Sequence, residues 1–297
     1  MTPKPVFRAA VLAALVAVAA GCAAPTASTQ PLAARAAATH PAAFLGGLER
    51  WHLTLPTSQS QQAFPADQID QPQLATYSSE YFQLNETKTG VLMTSIMGGA
   101  TTSAGTAFAR TELREREASG EKSAWDCANA VRSMTLRQRI LKAPTHKSEV
   151  SVGQIHDAKN DNLEVFYKGP SQGANGVSDT GVMLAKFNGM SSTKAPVLDD
   201  EYRLGDTMVV KVSTREGVMT VDYRNERSGK TSTASAPFEK IIGGCYFKAG
   251  NYPQACTKTN IYGLENPNCS KKSYTPEKFE TDPLATAVLE LQALSLD

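Results

Sequence analysis

The sequence lacks an excess of charge of either sign. It has 30 Lys and Arg residues against 29 Asp and Glu residues, which gives a formal net charge of +1 over 297 residues. Proteins that bind nucleic acid take much of their affinity from neutralising phosphates with basic side chains, so the composition argues against that class of partner. The hydrophobic fraction of 41% is ordinary for a globular protein and argues against a charged disordered chain.

Several chemical signatures are also missing. No apolar run reaches the roughly 18 residues that a membrane-spanning helix needs. No CxxC pair and no Cys/His cluster has the spacing of a zinc site, so we expect no metal. A glycine-rich phosphate-binding loop is absent as well, and we expect no cofactor.

Residues 1–21 are typical of an export signal. Lys4 and Arg8 give a short positive segment, residues 9–20 are apolar, and small residues at 19–21 precede Cys22. Small residues before a cysteine resemble the bacterial lipoprotein box, so we predict that Cys22 is lipidated. Ordinary cleavage nearby, with Cys22 as a bystander, is the alternative. The protein is therefore predicted to be an outer-membrane lipoprotein or a periplasmic or extracellular protein, with a lipid anchor as its only membrane contact.

The rest of the chain divides at residue 44. Residues 22–43 are rich in Ala, Thr and Pro without any period, which predicts a flexible tether. There is no internal repeat and no second linker, so residues 44–297 are predicted to form a single domain, and we expect a monomer.

The cysteines of the predicted domain are even in number. They are Cys127, Cys245, Cys256 and Cys269. An even set fits disulfide bonds in an oxidising compartment. Three pairings are possible, and the sequence does not select one of them.

The domain reads as many short strands separated by turn residues. Apolar and β-branched runs occur at 80–84, 91–97, 131–141, 149–156, 163–167, 182–187, 208–214, 218–224, 241–254 and 287–296. Between two of them, Arg215-Glu216-Gly217 predicts a hairpin turn. No segment keeps a helical period over three turns. The pattern predicts an all-β protein, either a β-sandwich or a jelly roll.

Three segments place polar side chains on one strand face, since alternate residues of a strand point the same way. Singly, each segment has a plain structural explanation: solvated ion pairs, a structural histidine or an exposed sheet edge. Together they offer cations, amide donors, one histidine and two phenols, which suit a polyanionic sugar. The residues are Arg110, Glu112, Arg114 and Arg116 in the first segment, Gln154 and His156 in the second, and Tyr246, Lys248, Gly250, Tyr252 and Gln254 in the third.

These segments resemble the three signature blocks of alginate lyases of polysaccharide lyase family seven, and the related family eighteen shares the blocks. They read Arg110-Thr-Glu-Leu-Arg-Glu115, Gln154-Ile-His156 and Tyr246-Phe-Lys-Ala-Gly-Asn-Tyr-Pro-Gln254, and Trp51-His-Leu-Thr-Leu-Pro56 resembles the first strand of the same domain. The resemblance runs from about residue 44 to the end of the chain. It implies a β-jelly roll of two curved antiparallel sheets, with alginate bound in a concave groove.

The resemblance also implies roles for single residues. The active-site positions are Arg110, Gln154, His156 and Tyr252, and the substrate-binding or supporting positions are Glu112, Arg114, Tyr246, Lys248 and Gln254. Alginate is a uronate, so removing its C5 proton adds charge beside a carboxylate, which Arg110 and Gln154 are expected to neutralise. His156 is the expected base for guluronate and Tyr252 the expected acid, and for mannuronate Tyr252 is expected to do both. Lys248 and Arg110 are expected to lower the pKa of Tyr252.

Ile155 bears on substrate preference. In the resembling family, Ile at this position accompanies action on guluronate, so we expect guluronate-containing stretches to be favoured. Alternation points Ile155 away from its two neighbours, and we expect it to pack behind the strand.

Other functions stay open. A glycoside hydrolase needs two carboxyls across the scissile bond, but Glu112 and Glu115 are odd-spaced and would face opposite ways. A non-catalytic sugar-binding module would need aromatic platforms and cations without a His/Tyr proton pair. A lyase for another polyuronate, such as glucuronan, is the third alternative.

Overall fold

The computed structural model describes residues 35–170, 179–269 and 279–297. The predicted signal segment 1–21 and Cys22 lie outside the described residues. Of the segment 22–43, residues 35–43 are described. The helix α1 (Pro41–Leu45) is followed by Gly46 as its C-cap, and Ala38 and Ala42 are buried. Packed structure therefore begins within the segment whose composition predicted a tether. Within the described ranges, no helix has the length and apolar character to cross a bilayer.

The described residues form fifteen strands, and a short 3-10 helix (Gln73–Thr76) lies between the second and third of them. The strands are β1 (Trp51–Thr54), β2 (Gln68–Ile69), β3 (Phe82–Leu84), β4 (Val91–Ile96), β5 (Thr111–Glu115), β6 (Arg132–Lys142), β7 (Glu149–His156), β8 (Asp161–Lys168), β9 (Thr180–Phe187), β10 (Val197–Arg203), β11 (Met208–Arg215), β12 (Val218–Asn225), β13 (Thr231–Pro237), β14 (Tyr246–Pro253) and β15 (Thr286–Leu296).

The strands form two antiparallel sheets. The eight-stranded sheet, here called the groove sheet, has the order β10-β9-β8-β7-β14-β5-β1-β2. The seven-stranded sheet, here called the back sheet, has the order β13-β12-β11-β6-β15-β4-β3. The predicted hairpin turn is confirmed between β11 and β12, where Arg215 pairs with Val218 and both Glu216 and Gly217 have positive φ. The all-β architecture of two antiparallel sheets is confirmed.

The hydrophobic core lies between the two sheets because alternate residues of each strand point inward. On the groove sheet, Leu113 of β5 pairs with Ala249 of β14, and Phe247 of β14 pairs with Ile155 of β7. All four are buried in the core. Ile155 is fully buried, as the alternation predicted, and the polar neighbours of these residues therefore face the other side of the sheet.

Two disulfide bonds select one of the three possible pairings. Cys127 bonds with Cys245, and Cys256 bonds with Cys269. Cys245 directly precedes β14 and Cys256 closely follows it, so a disulfide stands at each end of this strand. The first bond closes the longer stretch of chain, 118 residues against 13, and is expected to restrict the unfolded chain more.

Candidate active site

The three polar segments lie on adjacent strands of the groove sheet, with β14 between β7 and β5. Lys248 of β14 pairs with Arg114 on one side and with Gln154 on the other. Tyr246 pairs with His156. Segments that are far apart in the chain therefore present their polar side chains on one continuous face.

A cleft of about 270 Å³ opens on this face. Its lining residues are His52, Thr54, Gln68, Thr102, Arg110, Glu112, Arg114, Lys122, Tyr246 and Lys248. The lining is strongly polar and carries an excess of basic side chains, which suits an anionic ligand. Gln154 lies buried beneath this cleft, and His156 and Tyr252 contact two of its lining residues, Tyr246 and Arg110 respectively.

Glu112 organises the donors at the centre of the site. Its buried carboxylate accepts a hydrogen bond from Arg110 Nη1 at 3.0 Å and one from Gln154 Nε2 at 2.5 Å. Lys248 Nζ lies 3.7 Å from the same carboxylate. Gln154 is fully buried, so its amide contacts Glu112 rather than the open cleft. Glu112 thus holds the Arg110 guanidinium and the Gln154 amide, which the sequence assigned to substrate, close to the Lys248 ammonium.

Arg110 joins this cluster to Tyr252. Its guanidinium carbon lies 3.5 Å from the centre of the Tyr252 ring, a close cation–π contact. Burial alone would lower the pKa of Arg110, but Tyr252 and Glu112 raise it above its ordinary value. Arg110 Nε has no hydrogen-bond partner among the described residues. The guanidinium therefore carries a buried N–H group that no described protein group accepts.

Tyr252 is fixed from its other side by a small apolar cluster. The edge of its ring meets Phe108, with 6.2 Å between ring centres. Phe108 packs with the Cys256–Cys269 disulfide. The phenol ring is therefore held between a cation and an apolar wall that a covalent bond stabilises.

The pKa of Tyr252 departs from the sequence prediction. Burial raises the pKa of Tyr252 to about 12, the carboxylates of Asp161 and Glu112 add to the rise, and Arg110 opposes it. Arg110 lowers this pKa as the sequence predicted, but the expected net lowering is wrong, because burial and the carboxylates outweigh the cation. Burial also lowers the pKa of Lys248. Tyr252 therefore keeps its proton at neutral pH, as a proton donor must.

His156 is held at both ring nitrogens. Its Nδ1 lies against the Asp157 carbonyl oxygen and 3.1 Å from the Tyr246 hydroxyl. The His156 and Tyr246 rings are stacked 5.3 Å apart, and the Arg114 guanidinium lies over Tyr246 at 3.8 Å. His156 Nε2 lies 3.1 Å from Asp161 Oδ1. The imidazole is therefore fixed in orientation.

Gln254 lies at the end of β14 and supports the strand. Its side-chain amide donates to the Tyr252 carbonyl at 3.3 Å, and its backbone N–H donates to the Glu149 carbonyl at 2.8 Å. These bonds fasten the strand end that carries Tyr252. The structure thus places Gln254 in the supporting role rather than in the cleft lining.

Sequence reasoning missed two groups of this site. His52 lines the cleft, and burial together with Arg116 lowers its pKa to about 4 against the opposing effect of Asp70. The other group is Asp161. The alternation in β1 was a signal for His52, and the turn residues after His156 were a signal for Asp161. In the described ranges, no cluster of three or more His, Cys, Asp or Glu side chains is arranged to hold a metal ion.

Comparison with known proteins identifies the family of the chain. The family profile described as alginate lyase matches residues 47–279, which confirms the resemblance of the three blocks. No curated protein gives a significant match.

Solved structures of alginate lyases match over nearly their whole length. Alginate lyase AlgAT5 from polysaccharide lyase family 7 is 28% identical with a TM-score of 0.65, covering 88% of this chain and 99% of that one. The alginate lyase from Corynebacterium sp. is 26% identical with a TM-score of 0.65, covering 87% and 97%. The family 7 alginate lyase A1-II′ in complex with substrate (GGMG) is 20% identical with a TM-score of 0.62, covering 88% and 97%. The likeness confirms the predicted jelly roll.

Proposed function

The chain belongs to the alginate lyase family, and from this premise we propose that it cleaves the 1,4-glycosidic bonds of alginate by β-elimination. One observation carries the proposal: a buried, charged arginine, a histidine and a protonated tyrosine lie on one face of three adjacent strands, next to a cleft rich in cations. A hydrolase would need two carboxyls across the bond, whereas the Glu112 carboxylate is occupied by Arg110 and Gln154.

Neutralisation of the uronate carboxylate is assigned to Arg110. Loss of the C5 proton places negative charge beside that carboxylate, so a donor already in position lowers the barrier. Glu112 fixes Nη1 of the guanidinium, and Arg110 lines the cleft. Gln154 is buried and fixes Glu112 through the hydrogen bond from its Nε2. Its amide would contact the substrate only if this hydrogen bond opened.

Proton transfer is assigned to His156 and Tyr252. A neutral imidazole can take the C5 proton of guluronate, and the phenol can protonate the departing O4. The raised pKa of Tyr252 supports the acid role. To serve as a base for mannuronate, Tyr252 must first release its phenolic proton to solvent water, a loss that burial opposes and that the Arg110 charge favours. The product carries a C4=C5 double bond at its new non-reducing end.

Guluronate-containing stretches are proposed as the favoured substrate. Ile155 is fully buried behind the strand that carries Gln154 and His156. One methylene of packing volume there shifts stability by about 0.5–1.5 kcal/mol and can displace both side chains. Initial rates on purified polyguluronate, polymannuronate and polyglucuronate test this preference. Faster cleavage of polymannuronate would contradict the proposed preference for guluronate. Activity on polyglucuronate alone would favour a glucuronan lyase.

His156→Ala should reduce cleavage of polyguluronate more than cleavage of polymannuronate. The two uronates are C5 epimers, so their C5 protons leave from opposite faces and meet different groups. Rates on the two homopolymers measure the difference, with His40→Ala as the matched control, since His40 precedes α1 and its side chain makes no capping hydrogen bond. Equal losses on both polymers would contradict the division of labour between His156 and Tyr252.

Export and lipid anchoring through Cys22 are also proposed. The sequence of residues 1–22 and the two disulfides support an oxidising compartment. The protein is proposed to work as a monomer that touches the membrane only through the lipid.

Cys22→Ser should move the protein from the membrane fraction into the soluble fraction. The reason is that the lipid is attached to this thiol in lipoproteins that carry such a box. Cell fractionation followed by immunoblotting measures the shift. A variant that stays with the membrane would indicate another anchor, and a wild-type protein that is already soluble would indicate ordinary signal cleavage.

A further inference from the structure

His52 lies at one end of a row of residues that crosses the groove sheet through the candidate site. His52 of β1 pairs with Arg114 of β5. Arg114 in turn pairs with Lys248 of β14, which pairs with Gln154 of β7. Neighbouring strands lie about 4.8 Å apart, so His52 is about 14 Å from Gln154 along this row. The two ends of the row are therefore separated by more than one sugar ring of a bound polysaccharide.

Arg116 and Asp70 hold the His52 ring at its Nδ1 edge. Arg116 Nη2 lies 2.7 Å from His52 Nδ1 and 2.8 Å from Asp70 Oδ1. The same Asp70 oxygen is 3.5 Å from Nδ1, which is a longer contact. His52 and Arg116 are buried, whereas the side chain of Asp70 is more than half exposed. The imidazole is thus held through the guanidinium, which Asp70 in turn orients.

The contact with Arg116 decides where the ring proton of His52 lies. A guanidinium has N–H donors and no acceptor, so His52 Nδ1 accepts this hydrogen bond with its lone pair. A proton on Nδ1 would instead face the Arg116 N–H group at 2.7 Å. The ring is therefore neutral and carries its proton on Nε2. Burial and the Arg116 charge lower the pKa of His52 to about 4 against the opposing effect of Asp70, which agrees with a neutral ring at neutral pH.

The Nε2–H group is the donor that His52 offers to the cleft. In the part of the chain that the structure describes, the contact with Arg116 is the one hydrogen bond of this ring. His52 lines the cleft together with Arg114 and Lys122. Two positive charges beside a neutral N–H donor suit a carboxylate, because the charges attract the anion and the donor fixes one of its oxygens.

We propose that His52 binds the carboxylate of a uronate unit beyond the one that loses its C5 proton, donating from Nε2, and that Arg116 and Asp70 are positioning residues that fix this donor. The unit held by His52 takes no part in bond cleavage, so the hydrogen bond is equally strong in the ground state and the transition state. It therefore lowers KM and leaves kcat unchanged. This inference rests on the proposed function, because it concerns how the cleaved chain is bound.

Two substitutions of His52 separate the Nε2 donor from the Arg116 contact. Glutamine carries an amide N–H near the position of Nε2, whereas asparagine places an oxygen near the position of Nδ1 and has no distal donor. His52→Asn should raise KM for polyguluronate by about 3- to 20-fold at unchanged kcat, the range of one hydrogen bond. His52→Gln should stay close to wild type. A His52 that serves only as the structural partner of Arg116 predicts the opposite order.

The length of the substrate provides a second comparison. Guluronate oligomers long enough to reach from His156 to His52 should show the full rise in KM, and the shortest oligomer that is cleaved should show a smaller one. His40→Asn is the matched control, since His40 precedes α1, which contacts β3 and β15 of the back sheet. It should leave KM unchanged at every length.

A third measurement needs no turnover. The chain has four histidines, so the ring nitrogens of His52 can be assigned in nitrogen NMR spectra by comparison with His52→Asn. The free protein at neutral pH should show Nδ1 without a proton and Nε2 with one.

A His52→Asn enzyme with wild-type KM, or a His52→Gln enzyme as impaired as His52→Asn, would overturn the donor role. A proton on Nδ1, or an equal loss on oligomers of every length, would overturn it as well. A wild-type protein that makes no unsaturated product would instead contradict the proposed function. The NMR measurement reports on the His52 ring in either case, so the two failures are distinguished.

Discussion

Tyr252→Phe is expected to abolish turnover while leaving the fold nearly intact. The phenol is the proposed donor of the proton that the departing O4 requires, and its pKa of about 12 keeps that proton in place at neutral pH. Phe retains the ring that packs between Arg110 and Phe108. Loss of general acid catalysis typically costs about 10²–10⁴-fold in rate, and kcat on alginate measures it.

The matched control is Tyr77→Phe, which removes a phenol from a half-buried ring on the 3-10 helix side of the core. It should keep wild-type kcat. Equal thermal unfolding of both variants and the wild type would exclude a folding defect. A Tyr252→Phe enzyme that retains more than a few per cent of kcat would show that another group protonates O4.

Arg110→Lys is expected to lose about 10²–10³-fold in kcat/KM despite keeping its positive charge. The guanidinium is planar and forked, so one arm can stay on Glu112 while another donor meets the uronate carboxylate. An ammonium has no fixed fork and does not stack on the Tyr252 ring in the same way. The variant therefore loses both the anion contact and the support of the acid.

Steady-state kinetics on alginate measure this loss, and Arg227→Lys provides the control. Arg227 forms an ion pair with Asp206 far from the cleft, so the same substitution there should leave kcat/KM unchanged. A near-normal kcat for Arg110→Lys would show that another cation of the cleft neutralises the uronate carboxylate.

The sequence predicted the inner strands better than the edges of the sheets. The run 149–156 coincides with β7 because both faces of this central strand are constrained. The strands β10 and β13 lie outside the apolar runs of the sequence: the first contains Asp199, Asp200 and Glu201, and the second consists of small, mostly polar residues. Both are edge strands, where polar side chains discourage pairing with other chains. The apolar pattern of the sequence therefore predicts strands least well at the sheet edges, where the strands are least buried.

The composition of the site was predictable, but its internal contacts were not. Alternation placed Arg110, Lys248 and Tyr252 on one face, and the register of β5, β14 and β7 brought the three segments together. Two features depend on depth of burial, which pattern does not give: the engagement of Gln154 by Glu112 and the raised pKa of Tyr252. The choice among the three disulfide pairings likewise depends on contacts between distant segments.

The most direct test of the central claim is to follow alginate during incubation with the purified protein by ultraviolet absorbance and by reducing-end assay together. β-Elimination creates one conjugated C4=C5 uronate for every bond broken, so both signals should rise in equal molar amounts. The Tyr252→Phe variant should give neither signal. Reducing ends without absorbance would mean hydrolysis, and alginate binding without either signal would mean a non-catalytic module; each result would contradict the assignment of a lyase.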